Sequence, residues 1–169
     1  LCLSRLNTKE SRKQSSEFGK GLYILYNESM QQFELPSGYY RVSIKGLILD
    51  ETCKKFLVTL EDSGWWELPG GAIGHGESVE DCLKRELKEE TGLIVTEVNP
   101  NPSYFLTDKN TKGRWTVNVI FEIKVKDLNF TPSEECKEIK FVSPEEVESI
   151  NAFTNVKKFA KMFDSQRHK

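Results

Sequence analysis

The spacing of apolar and polar residues changes several times along the chain, and each change marks an element. Positions 1–20 are polar and without period, and read as a flexible arm or a remnant foreign to the fold. Leu22 to Phe33 mixes apolar and polar residues, and is expected to be a short helix or strand in an N-terminal extension, 21–38, that joins a domain at 39–169. Strand-forming runs follow at Tyr40 to Leu49 and Lys55 to Leu60, and the turn-prone Asp50-Glu51-Thr52 between them predicts a hairpin. The period then becomes helical over Val79 to Thr91, with Ser78 placed to cap the start against Asp81 and Gly92 suited to the end. Ile94 to Val98 reads as a strand directly after it.

Asn99-Pro100-Asn101-Pro102-Ser103 must be a loop, and Tyr104 to Thr107 and Arg114 to Val125 then read as paired strands around Asp108 to Gly113. Val117, Val119, Phe121, Ile123 and Val125 alternate with other residues, which predicts an amphipathic strand. After a strand at Ile139 to Val142, Ser143-Pro144-Glu145-Glu146 reads as a capped helix start, and Val156, Phe159, Ala160 and Phe163 give a further helix over Phe153 to Phe163. Strands, helix, strands, helices is the order of an α/β (α+β) chain with a mixed β-sheet between helices.

The helix at Val79 to Thr91 carries the chemistry. At about 100° per residue, Val79, Cys82 and Leu83 share a side with Glu86, Glu89 and Glu90, while Glu80, Asp81, Lys84 and Lys88 gather opposite. The solvated face is thus already accounted for, and the stripe expected to face the core turns acidic over its last two turns. A local breach of pattern of this kind marks functional sites. Three carboxylates so close repel each other, and a hard divalent cation such as Mg²⁺ or Mn²⁺, which takes oxygen ligands and bridges to phosphate, relieves the repulsion. Just before the helix, Leu68-Pro69-Gly70-Gly71-Ala72-Ile73-Gly74-His75-Gly76 is too glycine-rich for regular structure and suits close backbone approach to a ligand.

Gly71, five residues, Glu77, seven residues, Arg85-Glu86-Leu87, one residue, Glu89-Glu90, one residue and Gly92-Leu93 resembles the complete signature of the Nudix hydrolases, with no position departing from it. The approach Trp66-Glu67-Leu68-Pro69-Gly70-Gly71 is similar to many members, so the resemblance extends from about Tyr39 to Phe163. It implies an α/β/α sandwich and hydrolysis of a nucleoside diphosphate linked to another group, by water attacking a phosphorus of the pyrophosphate. On the same resemblance, Glu86, Glu89 and Glu90 bind the divalent ions with the carbonyl of Gly70 as a further ligand, and Glu86 orients or deprotonates the water. Arg85 holds the carboxylates, and Gly71, Glu77 and Gly92 order the motif. An extra acid recruited by some members before the last strand has Glu135 as first candidate, with Glu134 and Glu138 as alternatives. Phosphoryl transfer asks a protein chiefly for positioning and charge neutralisation, so no serine, cysteine or histidine nucleophile is required.

Composition changes this picture little. The length of 169 residues supports one substantial core, and a net charge of −2 argues against wrapping of long nucleic acid. Cys2, Cys53, Cys82 and Cys136 lack metal spacing, and no apolar run has membrane length, so reduced thiols and a cytoplasmic protein are expected, with a homodimer left open. Substrate choice rests on aromatic residues near strand ends: Tyr104 and Trp115 are expected to be reachable, Trp66 to pack under the loop, and His75 either contacts phosphate or faces solvent. The chain lacks the proline about sixteen residues past the motif that marks the ADP-ribose subgroup, which points towards a nucleoside triphosphate or a nucleotide sugar. A non-catalytic nucleotide-binding module of the same fold is the alternative, and the intact acidic set speaks against it. The related isopentenyl diphosphate isomerases depend on a cysteine and a broken form of the motif, which is complete here.

Overall fold

A computed structural model describes residues 39–168, so the expectations for positions 1–20 and for Leu22 to Phe33 lie outside the described residues. The chain order is β1 (Arg41–Leu47), β2 (Phe56–Glu61), β3 (Trp66–Glu67), α1 (Val79–Thr91), β4 (Val95–Val98), β5 (Tyr104–Lys109), β6 (Trp115–Val125), β7 (Cys136–Val142), α2 (Pro144–Val147) and α3 (Thr154–Met162), then a single 3-10 turn over Ser165–His168. β6 is the centre of one sheet. β1 runs parallel along one edge of it, and β5 and then β4 pair antiparallel along the other. β3, β2 and β7 form a second, antiparallel sheet.

The expected hairpin of the first two strands forms only at its turn: the Asp50 amide donates to the Lys55 carbonyl (3.0 Å) and the Leu57 amide to the Ile48 carbonyl (2.9 Å), around an antiparallel bridge of Leu49 with Phe56. Beyond that bridge the two segments part, and β1 and β2 lie in different sheets. The competing partner is the glycine-rich loop: the Ile44 amide donates to the Gly71 carbonyl (2.8 Å) and the Gly46 amide to the Pro69 carbonyl (2.9 Å). With that edge of β1 filled, β2 satisfies its backbone against β7 instead, from Phe56 opposite Val142 to Glu61 opposite Cys136.

Helices cover the strands from both sides. Cys82, Leu83 and Leu87 of α1 pack on Ile44, Ile48, Leu57, Val95, Phe121 and Ile123. Val147 of α2 and Val156, Phe159 and Ala160 of α3 pack on Leu47, Phe56, Val58, Leu106 and Ile120. Each large apolar side chain buried this way contributes about 1.5–3 kcal/mol. Ser143 and Glu146 form the capping box that starts α2, as the local sequence predicts.

Being central, β6 departs from the amphipathic expectation: Phe121 and Ile123 face α1, but the other face is buried too, with Ile120 in the second core and Thr116 and Asn118 only 9% and 3% exposed. Thr116 and Asn118 thus point into the molecule.

Tyr104, expected to be reachable by substrate, is 4% exposed. Its hydroxyl meets the His168 Nε2 (2.9 Å) and accepts from the Asp164 amide (3.1 Å), while His168 Nδ1 lies 2.6 Å from Glu122. His168, to which the sequence assigns no role, thus ties the C-terminal turn to β5 and β6. His168→Ala is expected to lower stability by about 1–2 kcal/mol in urea unfolding while leaving turnover unchanged.

Candidate functional site

The helix that carries the acidic residues is held at both ends by local sequence. Ser78 Oγ accepts from the Asp81 amide (3.1 Å), and Gly92, at φ 73°, closes the other end by donating to the Lys88 carbonyl (3.1 Å). Cys82, Leu83, Leu87 and Thr91 point into the core. Glu86 and Glu90 flank that stripe on the side of the glycine-rich loop, and both line a cavity of about 470 Å³. Glu89 does not share their setting: its side chain is 62% exposed, because it lies at the edge of the arc that Leu83 and Leu87 centre.

Arg85 organises this surface. Its Nε and Nη2 donate to the two oxygens of Glu77 (2.8 and 2.9 Å), and its Nη1 donates to Glu86 (2.8 Å) and reaches Glu89 (3.4 Å). Glu77 also accepts from the Gly74 amide (2.8 Å), which closes the loop onto the helix. The Arg85 guanidinium, followed by the Gly74 amide, lowers the Glu77 carboxyl from an ordinary 4.5 to about 2. A lowered carboxyl contributes stability above its unfolded value that is lost as pH falls through its folded one. Glu77→Gln is therefore expected to melt lower than wild type at pH 6, the gap closing between pH 4.5 and about 2. A gap independent of pH would show that Glu77 acts without its charge.

The loop brings its backbone to the same carboxylates. The Gly70 amide donates to Glu90 (3.0 Å), and a Cβ built on Gly71 would fall 2.5 Å from the Glu86 carboxylate. Any side chain there would push the Glu86 carboxylate from its place. Burial raises the Glu90 carboxyl above the usual range, against the opposing pull of Lys45 and of the Gly70 N–H. Lys45, 6% exposed on β1, donates to the carbonyls of Leu68 (3.0 Å) and Gly70 and stands 3.7 Å from Glu67, which Asn155 holds through both oxygens (2.9 and 3.1 Å).

The oxygen-rich donor set of Glu86 and Glu90, with Glu89 at the rim, fits a hard divalent cation in chemical type. As the side chains lie, Arg85 takes Glu86 and Glu89, and no three acidic, histidine or cysteine groups among the described residues are gathered closely enough to hold an ion. The Gly70 carbonyl, expected as a ligand, is taken by Lys45.

Glu135 lines the cavity alongside Glu90, whereas Glu134 and Glu138 are absent from its lining. The four substrate candidates do not line it. Trp66 is 7% exposed in the core beneath the Lys140 ammonium (3.9 Å), and Tyr104 is held by His168. Trp115 is 46% exposed and packs on Tyr40 (6.1 Å), and His75 sits in an exposed turn.

Of the residues that do line it, and that the sequence reading passed over, one set comes from strand faces. Arg41, Ser43 and Lys45 alternate with Val42, Ile44 and Gly46 along β1, and the register sets Arg41 beside Thr116 and Ser43 beside Asn118 of β6. A polar set at every second position in two strands was the available signal.

The NUDIX domain family profile matches residues 39–164, the span that folds around this cavity. The chain belongs to the Nudix hydrolase family. Its Nudix fold is shared with the MutT protein of Methanosarcina mazei, at a TM-score of 0.62 and 23% identity over 77% of this chain and 96% of that one. A MutT-like protein of Streptomyces ambofaciens is 32% identical over 124 residues, covering 73% of this chain and 77% of that protein. An ADP-ribose pyrophosphatase of Methanocaldococcus jannaschii is 30% identical over 103 residues, 59% of this chain and 60% of that protein. The Nudix chain therefore spans less than two thirds of this second relative. Among the described residues no helix is long and apolar enough to cross a membrane, and Cys53, Cys82 and Cys136 are free thiols.

Proposed function

We propose that this Nudix domain hydrolyses the pyrophosphate bond of a nucleoside diphosphate linked to another group, using Mg²⁺ or Mn²⁺. The observation that carries the proposal is that Glu86 and Glu90 open onto the same cavity as Gly70, Gly71 and the polar faces of β1 and β6. Glu86, Glu89 and Glu90 would hold the ion, which when bound supplies charge neutralisation at the phosphate oxygens and acidifies water. Glu86 orients the attacking water and accepts its proton, with Arg85 fixing the carboxylate's direction through the 2.8 Å bond. Glu135, which lines the same cavity as Glu90, is the candidate extra acid. Arg41, Ser43, Thr116 and Asn118 offer donors and acceptors to the group attached to the pyrophosphate.

A nucleoside triphosphate or a nucleotide sugar is the proposed substrate class, and ADP-ribose belongs in the test because one relative is named for it. The test measures phosphate or AMP release from nucleoside triphosphates, oxidised nucleotides, ADP-ribose, nucleotide sugars and dinucleoside polyphosphates, with Mg²⁺ or Mn²⁺ and again after EDTA. Metal-dependent turnover of one class supports the reading and names the substrate. Folded protein that binds nucleotides but turns over none of them would replace hydrolysis by a binding role.

A further inference from the structure

The polar face of β1 ends on a buried cation. Lys45 follows Arg41 and Ser43 at every second position, but unlike a surface lysine it is 6% exposed, with its ammonium inside the cavity wall. Three oxygens engage it: the carbonyls of Leu68 and Gly70 and the carboxylate of Glu67, itself fixed by Asn155. Glu90 faces the same point from α1, and Lys45 is the largest influence opposing the effect of burial on that carboxyl. Buried lysines are rare unless paired, and here the ammonium has two carbonyl acceptors and a carboxylate at ion-pair distance.

We infer that Lys45 is a fixed internal cation of the site, which takes the Gly70 carbonyl for itself and reduces by one the number of divalent ions the site binds. This rests on the reading of Glu86, Glu89 and Glu90 as the ion-binding set, and it names a residue of this chain that sets their ion count. A divalent ion on the carbonyl that already holds the ammonium is disfavoured, since the two like charges would then repel at contact distance. Lys45 cannot simply withdraw into solvent, because its stem is enclosed by the strand and loop that bury it. The Gly70 amide and carbonyl thereby serve opposite partners, the N–H holding Glu90 and the carbonyl holding Lys45, so the loop itself bridges the acid and its counter-charge.

The experiment is Mn²⁺ binding, followed by electron paramagnetic resonance and calorimetry, on the wild type, Lys45→Gln, Lys45→Met and Glu90→Gln. Glutamine keeps an N–H donor for the two carbonyls while removing the charge. Both Lys45 variants are expected to bind one more Mn²⁺ per chain than the wild type, and Glu90→Gln to lose at least tenfold in affinity. Unchanged or weaker binding in both Lys45 variants, with Glu90→Gln impaired, overturns the role of Lys45 alone. A wild type that binds no Mn²⁺, or a Glu90→Gln variant that binds as wild type, overturns the ion-binding reading and this inference with it. Wild-type crystals soaked in Mn²⁺ decide the matter even if the Lys45 variants do not fold. Anomalous density away from the Gly70 carbonyl, with the Lys45 ammonium still on it, supports the inference, and density coordinated by that carbonyl overturns it.

Discussion

Glutamine in place of Glu86 or Glu90 is expected to lower kcat by about a thousandfold or more, a loss of about 4 kcal/mol from the transition state. The substitution preserves shape and removes one negative oxygen at the point where the cavity meets α1, so what it takes away is charge. For Glu90 the loss falls on a carboxylate already disfavoured by burial and retained through the Gly70 amide and Lys45, an arrangement with no packing purpose. For Glu86 it leaves an amide oxygen to accept from Arg85 but removes the charge that makes this bond strong, and with it the second anionic oxygen for an ion or water. The folded state should change little, since the apolar stripe of α1 is Cys82, Leu83 and Leu87, which neither variant touches. Steady-state rates and thermal melts on the same preparations test this together. Wild-type rates in both folded variants would remove the catalytic assignment of the α1 carboxylates.

Gly70→Ala is expected to be the most destabilising single change in the glycine-rich loop, at about 2–4 kcal/mol. Gly70 sits at φ 111°, and an added Cβ would meet the Ile44 carbonyl oxygen and lie 3.2 Å from the Lys45 Cα. Both obstacles are backbone of β1, which is itself fixed in register with β6 over seven residues and cannot yield. Gly64, at φ 80° with nothing within 4 Å of its added Cβ, isolates the conformational cost, so Gly64→Ala should lose only about 1 kcal/mol. Melting temperatures should then separate the two by several degrees. Equal losses would mean that the close approach of the loop to β1 contributes nothing beyond backbone strain. Because the Gly70 amide holds Glu90, the Gly70 variant should lose activity as well, whereas the Gly64 variant should keep it.

The helix of the site was legible because its determinants are local. Ser78, Asp81 and Gly92 define its ends within a few residues, and the observed helix runs from Val79 to Thr91 as the spacing predicts. Which residues face inward was legible in part: Cys82 and Leu83 do, whereas Glu89 lies outside the buried arc, a distinction of some tens of degrees that a wheel with about 100° steps leaves undecided until a partner surface is known. The pairing of strands was the least legible. Nothing in Asp50-Glu51-Thr52 reveals that the edge of β1 is filled by a loop twenty and more residues later, and the hairpin therefore stops at the Leu49–Phe56 bridge instead of running along β1.

By itself, then, the sequence determined the family, the α1 helix with its caps, and the set of acids and glycines with their spacing, because each follows from short-range periodicity or from residue chemistry along one stretch of chain. Only the tertiary structure decided that Arg41, Ser43 and Lys45 of β1 join Thr116 and Asn118 of β6 in one cavity wall, that Tyr104 is buried instead of reachable, and that the Lys45 ammonium lies on the Gly70 carbonyl. The physical reason is that a polar residue at every second position looks the same whether its face meets water or a cavity. Which one it meets depends on what covers the sheet, and the helices that cover it come from distant parts of the chain.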